Sequence, residues 1–203
     1  MLWTVGLPVL KFYKPTSGEI MLGKQMLCDL SPEWWRNQCG VVMQDGFIFN
    51  DTIAGNIAMG DAPPNHERLK QAVEVANIRS FIESLPMTYL TQIGSGGIGI
   101  SAGQRQRLLI ARAVYKNPEY LFFDEATSAL DANNEKEISN NLAAFFARKT
   151  VVVIAHRLST VKHADQIVVL EEGRVLEIGN HASLLSAKGR YYELVKNQLE
   201  ISA

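Results

Sequence analysis

The sequence predicts an α/β fold in which helices flank a mostly parallel sheet. Three short runs are almost wholly apolar, as is typical of buried parallel strands. These runs are Gly40–Met43, Tyr120–Phe123 and Thr150–Ile154. A helical segment with an apolar face precedes the second run, and another precedes the third. Strands that alternate with helices are typical of α/β proteins, and the length predicts one domain over residues 1–203.

Composition narrows the class of protein. The 203 residues carry a net charge of −1 and no basic stripe, which argues against nucleic acid as the main partner. Cys28 and Cys39 are too few for a disulfide framework and lack the spacing of a metal site. No apolar run approaches the ~20 residues of a membrane helix, and residues 1–10 lack the charged start of a signal peptide.

The first half of the chain contains short predicted elements. Turn residues at 16–19 lead into a predicted strand at Ile20–Leu22. Asp51 is the predicted N-cap of a helix. Further helices are expected at His66–Ala76 and Ser80–Leu85.

The central helix has the clearest local signal. Ser101 and Gln104 have the S-x-x-Q spacing of a capping box, so the helix is predicted to begin at Ala102 and to end at Asn117-Pro118. Gly103 lets another surface approach the exposed N–H groups, which favour an anion such as phosphate. The predicted apolar face consists of Leu108, Leu109, Ala111 and Val114, and the predicted polar side carries Arg105, Arg107 and Arg112.

Two acids follow the second apolar run. Asp124 and Glu125 lie at the carboxyl end of that predicted strand, where open α/β sheets bind ligands. One such carboxylate can hold a magnesium ion while the other orients or deprotonates a water. This edge is therefore the predicted site for a nucleoside triphosphate.

The last third of the chain completes the predicted fold. Asp131 is expected to cap a helix that runs to about Ala147. Gln166–Leu170 and Arg174–Ile178 predict a β-hairpin, because Glu172-Gly173 separates them as a turn. Terminal helices are expected at residues 180–186 and 191–198.

Several motifs occur in the order that one known family uses. Ile100–Gln104, which reads ISAGQ, resembles the LSGGQ signature of that family. The run LFFDEA is similar to its Walker B strand, and Ser128–Asp131 matches its D-loop. On these motifs the chain resembles the nucleotide-binding domain of an ABC exporter from Lys11 to about residue 200.

The resemblance implies a fold and a set of catalytic residues. The fold would be a P-loop NTPase-like core with a helical subdomain inserted at about residues 50–115. Asp124 would hold Mg²⁺, and Glu125 would be the catalytic carboxylate for attack of water on ATP. Gln44 would touch the metal and the attacking water, and His156 would contact the γ-phosphate.

The resemblance also implies partners. Ser101, Ala102, Gly103 and Gln104 would bind the nucleotide held by a second nucleotide-binding domain in a head-to-tail dimer, with Asp131 at the interface. The helical subdomain would dock on a transmembrane domain. The chain itself would be soluble, and this partner would hold it at the cytoplasmic face of the membrane.

One expected motif is missing from the printed sequence. No G-x-x-x-x-G-K-[ST] phosphate loop occurs in it, and the lysine of that loop would fall near Leu2. Pro8 is expected to interrupt the helix that follows the loop. We therefore expect residues 1–10 to be foreign to the pattern, from an internal start or a frame change, with the first strand and phosphate loop missing. We also expect the isolated chain to bind ATP poorly.

Three alternative functions are considered. Gly94, Gly96 and Gly99 fit the G-x-G-x-x-G fingerprint of a dinucleotide-binding oxidoreductase, with Met87–Ile93 as its first strand and Asp124 as its acidic residue. A second alternative is a non-catalytic module that lends its signature helix to a complete partner. An ABC-type ATPase of DNA repair is the third, but no sustained heptads occur between Gln44 and Ile100.

Overall fold

The computed structural model describes residue 6 and residues 8–124, 132–155 and 161–201. The helices are α1 (Pro32–Gln38), α2 (Ile53–Ala58), α3 (His66–Val75), α4 (Arg79–Glu83), α5 (Ala102–Lys116), α6 (Ala132–Phe146), α7 (His181–Ala187) and α8 (Arg190–Ile201). The strands are β1 (Met21–Leu22), β2 (Gln25–Met26), β3 (Cys39–Val42), β4 (Asp51–Thr52), β5 (Gln92–Ile93), β6 (Tyr120–Asp124), β7 (Thr150–Ile154), β8 (Ile167–Glu171) and β9 (Arg174–Gly179). They form two compact units, which divide the chain at Ile154.

The first unit is built on a parallel sheet with the strand order β3-β6-β7. Val42 lies opposite Phe123, and Asp124 lies opposite Ile154. The three predicted apolar strands are therefore confirmed, and they are parallel as expected. β7 is only half-buried, however, since Val152 is 41% exposed.

Helix α5 forms the centre of the main core. It packs against α2, α3 and β3, and eight of its residues are buried. The cluster around it includes Ile53 and Ile57 of α2 and Leu121 and Phe123 of β6. The apolar face predicted from the sequence is thus buried, but the buried surface of α5 extends further and includes Gln106.

The second unit consists of the β8–β9 hairpin and the two terminal helices. The strands pair antiparallel, with a register shift between Val169 and Leu170. A small core of Ile167, Val169, Leu184, Tyr191 and Val195 joins the hairpin to the helices. The carboxylate of Glu177 accepts hydrogen bonds from the N–H groups of Arg190 and Tyr191, at 2.8 and 2.9 Å, and so caps α8.

Two local predictions are corrected. The N-cap of α2 is Thr52 rather than Asp51, because the Thr52 hydroxyl accepts from the Gly55 N–H at 2.9 Å. Pro8 was expected to interrupt a helix, but residues 8–10 are packed into the fold. Leu10 is 1% exposed and packs with Trp35, and its N–H donates to the Gly6 carbonyl at 2.8 Å. Pro8 itself lies within this helical turn.

The region of the glycine fingerprint does not support a dinucleotide-binding unit. Met87–Ile93 contains a single turn of 3₁₀ helix at Thr88–Leu90, followed by the two residues of β5. β5 pairs antiparallel with β4 rather than joining the parallel sheet. A dinucleotide fingerprint requires a parallel strand before the glycines.

Candidate functional site

Two predicted site residues lie at one edge of the parallel sheet. Gln44 is exposed in the turn that follows β3, and Asp124 is the half-buried last residue of β6. β3 and β6 are neighbours in register, so both chain segments leave the sheet on the same side. Gln44 and Asp124 therefore follow neighbouring strands at the same end of the sheet.

Three further predicted residues cannot be placed. Glu125, Asp131 and His156 lie outside the described residues, and their predicted roles stay predictions. The neighbouring strand residue Ile154 pairs with Asp124, so β7 ends at the same edge as β6.

The signature segment lies on a different element, at the start of α5. Ser101 is the N-cap, and its hydroxyl accepts from the Gln104 N–H at 3.2 Å. The Gln104 side-chain oxygen in turn accepts from the Ser101 N–H at 2.8 Å. The predicted capping box and helix start are confirmed. Ser101 and Ala102 are exposed, and Gly103 and Gln104 are half-buried, so this helix end is open to a ligand.

The turn after Gln44 is packed tightly on α5. A β-carbon on Gly46 would lie 2.4 Å from Cδ1 of Leu109, which is much closer than real contacts allow. Leu109 is buried on α5, eight residues after Ser101. The loop that carries Gln44 and the signature helix therefore touch each other at this point.

Two of the three arginines on α5 have structural contacts that the sequence analysis missed. Arg105 is exposed, as predicted. Arg107 donates to the Asn77 carbonyl at 2.7 Å, and Arg112 donates to the Phe47 and Asn56 carbonyls at 3.0 and 2.8 Å. Burial lowers the pKa of the Arg112 guanidinium from its ordinary value. Helical periodicity could have signalled this contact, because Arg112 follows the buried Leu109 by three residues.

A cluster of metal-ligating side chains is not seen in the part of the chain that the structure describes. No group of three or more His, Cys, Asp and Glu residues occurs there in an arrangement that could hold a metal. Within the same ranges, no helix has both the length and the apolar character needed to cross a membrane.

Comparison with known proteins identifies the family. Residues 7–128 match the family model described as ABC transporter. The chain is 47% identical over 190 residues to ABC transporter B family member 14 of Arabidopsis thaliana. The aligned residues make up 94% of this chain and 15% of that protein. It is 46% identical over 191 residues to the ATP-dependent lipid A-core flippase of Ralstonia nicotianae, covering 93% of the chain and 32% of the flippase.

A solved structure is similar over almost the whole chain. It is that of a bacterial Atm1-family ABC exporter with ATP bound, with a TM-score of 0.92 and 39% identity. The match covers 97% of this chain and 35% of the exporter chain. This chain therefore spans about a third or less of the length of the relatives described here. The family match covers more than half of its residues, and the chain belongs to the ABC transporter family as a nucleotide-binding domain of the exporter type.

Proposed function

We propose that the chain is the ATP-binding part of an ABC exporter, in which ATP hydrolysis drives transport across a membrane. The observation that carries this proposal is the shared sheet edge of Gln44 and Asp124. Polar oxygens at the carboxyl ends of neighbouring parallel strands are the usual ligand site of α/β folds.

The proposed metal ligands suit Mg²⁺. Asp124 offers a carboxylate and Gln44 an amide oxygen, and Mg²⁺ is usually held by one or two protein ligands together with phosphate oxygens and water. A site with few protein ligands is therefore compatible with the donor set at this edge. Bound Mg²⁺ would neutralise charge on the phosphates of ATP.

The remaining catalytic roles are assigned by position along the chain. Glu125 directly follows Asp124 and would orient and deprotonate the attacking water. His156 follows Ile154 by two residues and would donate a hydrogen bond to the γ-phosphate. Gln44 would position the water from the other side.

The signature segment would serve a second nucleotide-binding domain. Ser101, Ala102, Gly103 and Gln104 would meet the nucleotide of that domain in a head-to-tail dimer, and Asp131 would lie at the interface. The open, capped start of α5 supports this role, because helix N-termini bind phosphate groups. Residues 50–115 would form the helical subdomain within one domain of residues 1–203, and dock on the transmembrane domain at the cytoplasmic face.

The first experiment is isothermal titration calorimetry, in which ATP and Mg²⁺ are added to the isolated chain. We expect weak binding, because the 203 residues contain no G-x-x-x-x-G-K-[ST] loop to supply a lysine and backbone donors. Such contacts contribute several kcal/mol, and each 1.4 kcal/mol changes affinity about tenfold. Micromolar affinity would contradict this expectation.

The second candidate function is a non-catalytic module that only lends its signature helix to a complete partner. The capped and open start of α5, where the signature segment lies, favours it. To distinguish the two functions, this chain is mixed with a nucleotide-binding domain that carries its own phosphate loop, and ATP hydrolysis by the mixture is measured. If Glu125 takes part in hydrolysis, Glu125→Gln lowers the hydrolysis of the mixture. If only the signature helix is used, Glu125→Gln leaves hydrolysis unchanged and Gly103→Asp lowers it.

A further inference from the structure

The segment after Gln44 presents two phenylalanine rings to solvent. Phe47 is 69% exposed and Phe49 is 43% exposed. Their ring centroids are 5.0 Å apart, and the rings meet edge to face at 79°. Aromatic side chains are enriched at protein interfaces, where rigid rings supply contact area at a low cost in entropy. The pair is therefore suited to contact a partner.

A buried asparagine holds the backbone beneath the rings. Asn56 is 1% exposed, and its side-chain oxygen accepts from the Phe49 N–H at 2.8 Å. Its side-chain nitrogen donates to the Phe49 carbonyl at 3.0 Å and the Thr52 carbonyl at 3.1 Å. This network connects the loop to α2.

Arg112 connects the same loop to α5. Its guanidinium donates to the Phe47 carbonyl at 3.0 Å, to the Asn56 carbonyl at 2.8 Å and to the Asn56 side-chain oxygen at 3.3 Å. It also lies over the Phe49 ring, with 5.5 Å between the guanidinium carbon and the ring centroid. One side chain of α5 thus contacts both residues that carry the exposed rings.

The contact of Leu109 with Gly46 lies on the same side of α5. Leu109 and Arg112 are three residues apart, so their side chains are neighbours on the helix surface. The loop between Gly46 and Phe49 is therefore fixed to α5 at two points. The signature segment begins this helix at Ser101.

We propose that Arg112 is a positioning residue, which holds the Phe47–Phe49 pair in one orientation and couples it to the signature helix. The functional meaning of this coupling rests on the proposed function, in which α5 serves a nucleotide site. The coupling itself is a property of the chain alone.

The first test uses ¹⁹F NMR of the chain with 4-fluorophenylalanine at its 8 phenylalanine positions. Arg112→Met is expected to move the Phe47 and Phe49 resonances towards the position of the free amino acid. The Phe122 and Phe123 resonances should stay in place, because these rings are buried in the core and report the intact fold. Arg105→Met is the matched control, since it removes an exposed guanidinium from the same helix. Unchanged Phe47 and Phe49 resonances in Arg112→Met would overturn the proposal, as would equal changes in Arg105→Met.

The second test measures coupling and uses Arg112→Lys, which keeps the charge but loses the fork of donors. Phe47→Leu is expected to shift the amide resonances of residues 108–113 in ¹H–¹⁵N spectra of the otherwise natural chain. In the Arg112→Lys background most of this response should be lost. An equal response in both backgrounds would overturn the proposal. This test does not use Arg112→Met, so it still applies if that variant fails to fold. Neither test contains nucleotide or a partner, so its outcome is independent of the ATP titration.

Discussion

At the scale of single residues, Asn56 connects the loop after Gln44 to the core. Its side-chain oxygen accepts from the Phe49 N–H, and its side-chain nitrogen donates to the Phe49 and Thr52 carbonyls. A buried polar group that loses its partner costs about 1–3 kcal/mol, and removal of this side chain takes the acceptor from the Phe49 N–H. We therefore expect the lost hydrogen bonds, rather than lost packing, to account for most of the change in stability when Asn56 is substituted.

We expect Asn56→Ala to lower the free energy of unfolding by about 3 kcal/mol, by the cost of unpaired buried groups. Urea unfolding followed by circular dichroism measures this difference as a shift in midpoint at an unchanged slope. Asn140→Ala on the exposed side of α6 is the matched control and should change stability by less than about 0.5 kcal/mol. A small effect of Asn56→Ala would mean that the loop does not depend on this network.

The two cysteines differ in burial and should differ in reactivity. Cys28 is exposed, whereas Cys39 in β3 is buried. Burial raises the pKa of the Cys39 thiol to about 11, and nearby Lys116 lowers it only in part. The thiolate is the reactive form, so only about one Cys39 in a thousand is ionised at pH 8.

At pH 8 iodoacetamide is expected to modify Cys28 and to leave Cys39 intact, as measured by mass spectrometry of peptides. Both should react after denaturation. The sign of the pH effect on stability follows from the raised pKa. Above about pH 9 the unfolded thiol ionises while the folded thiol stays protonated, so the Cys39 contribution to stability falls between pH 9 and 11. Equal labelling of both cysteines in the folded chain would contradict the burial of Cys39.

At the scale of elements, the capping box at the start of α5 carries both stability and the proposed ligand site. We expect Ser101→Ala to destabilise the fold by about 1 kcal/mol, because the Gln104 N–H loses its acceptor. Thermal unfolding measures the change. Ser95→Ala is the control, since Ser95 is exposed in the preceding turn. Equal melting temperatures for the two variants would exclude a stabilising cap.

The contact between the Gln44 turn and α5 gives a second prediction for an element. Gly46→Ala places a methyl group against Leu109, and overpacking of this kind costs about 1–3 kcal/mol. Gly99→Ala is the matched control, because a β-carbon there meets nothing within 4 Å. Urea unfolding compares the two variants. A Gly46→Ala variant as stable as Gly99→Ala would show that Leu109 moves aside without cost.

At the scale of the whole molecule, the two units differ in the size of their cores. The first unit contains a large cluster around α5, and the second contains a cluster of five buried residues. Several apolar residues of the hairpin are also exposed, among them Val168 at 46% and Ile178 at 58%. Small cores confer low local stability.

We therefore expect amide hydrogens of the β8–β9 hairpin to exchange much faster than those of α5 and β6. Hydrogen–deuterium exchange followed by mass spectrometry compares peptides from residues 167–179 and 102–124. The exchange difference should persist at two pH values when rates are corrected for intrinsic exchange. Equal protection would mean that the hairpin unfolds only with the main core.

Features that depend on neighbours in the sequence could be predicted before the structure. The Ser101 cap and the three apolar strands belong to this class, because a cap spans three residues and a buried strand needs a short apolar run. One error was also local. Asp51 and Thr52 are both good caps, and only the backbone geometry of α2 selected Thr52.

The candidate site also contains features that were predicted from the sequence and features that were missed. The family resemblance implied that Gln44 and Asp124 act at one site, and the register shows that the strands before them are parallel neighbours. The Asn56–Arg112 contacts were missed because the two residues are 56 positions apart. Charge alone predicted that Arg112 is solvated. Its position three residues after Leu109 indicated a buried helix face, but not which distant segment covers that face.

The sequence by itself determined the kinds and order of the elements and the motifs that reveal the family. Periodicity and caps act over a few residues, so they can be recognised in any short segment. The tertiary structure decided which polar side chains are buried and what they hold. Burial depends on the segment that packs across a helix face, and for Arg112 and Leu109 that segment is the distant loop after Gln44.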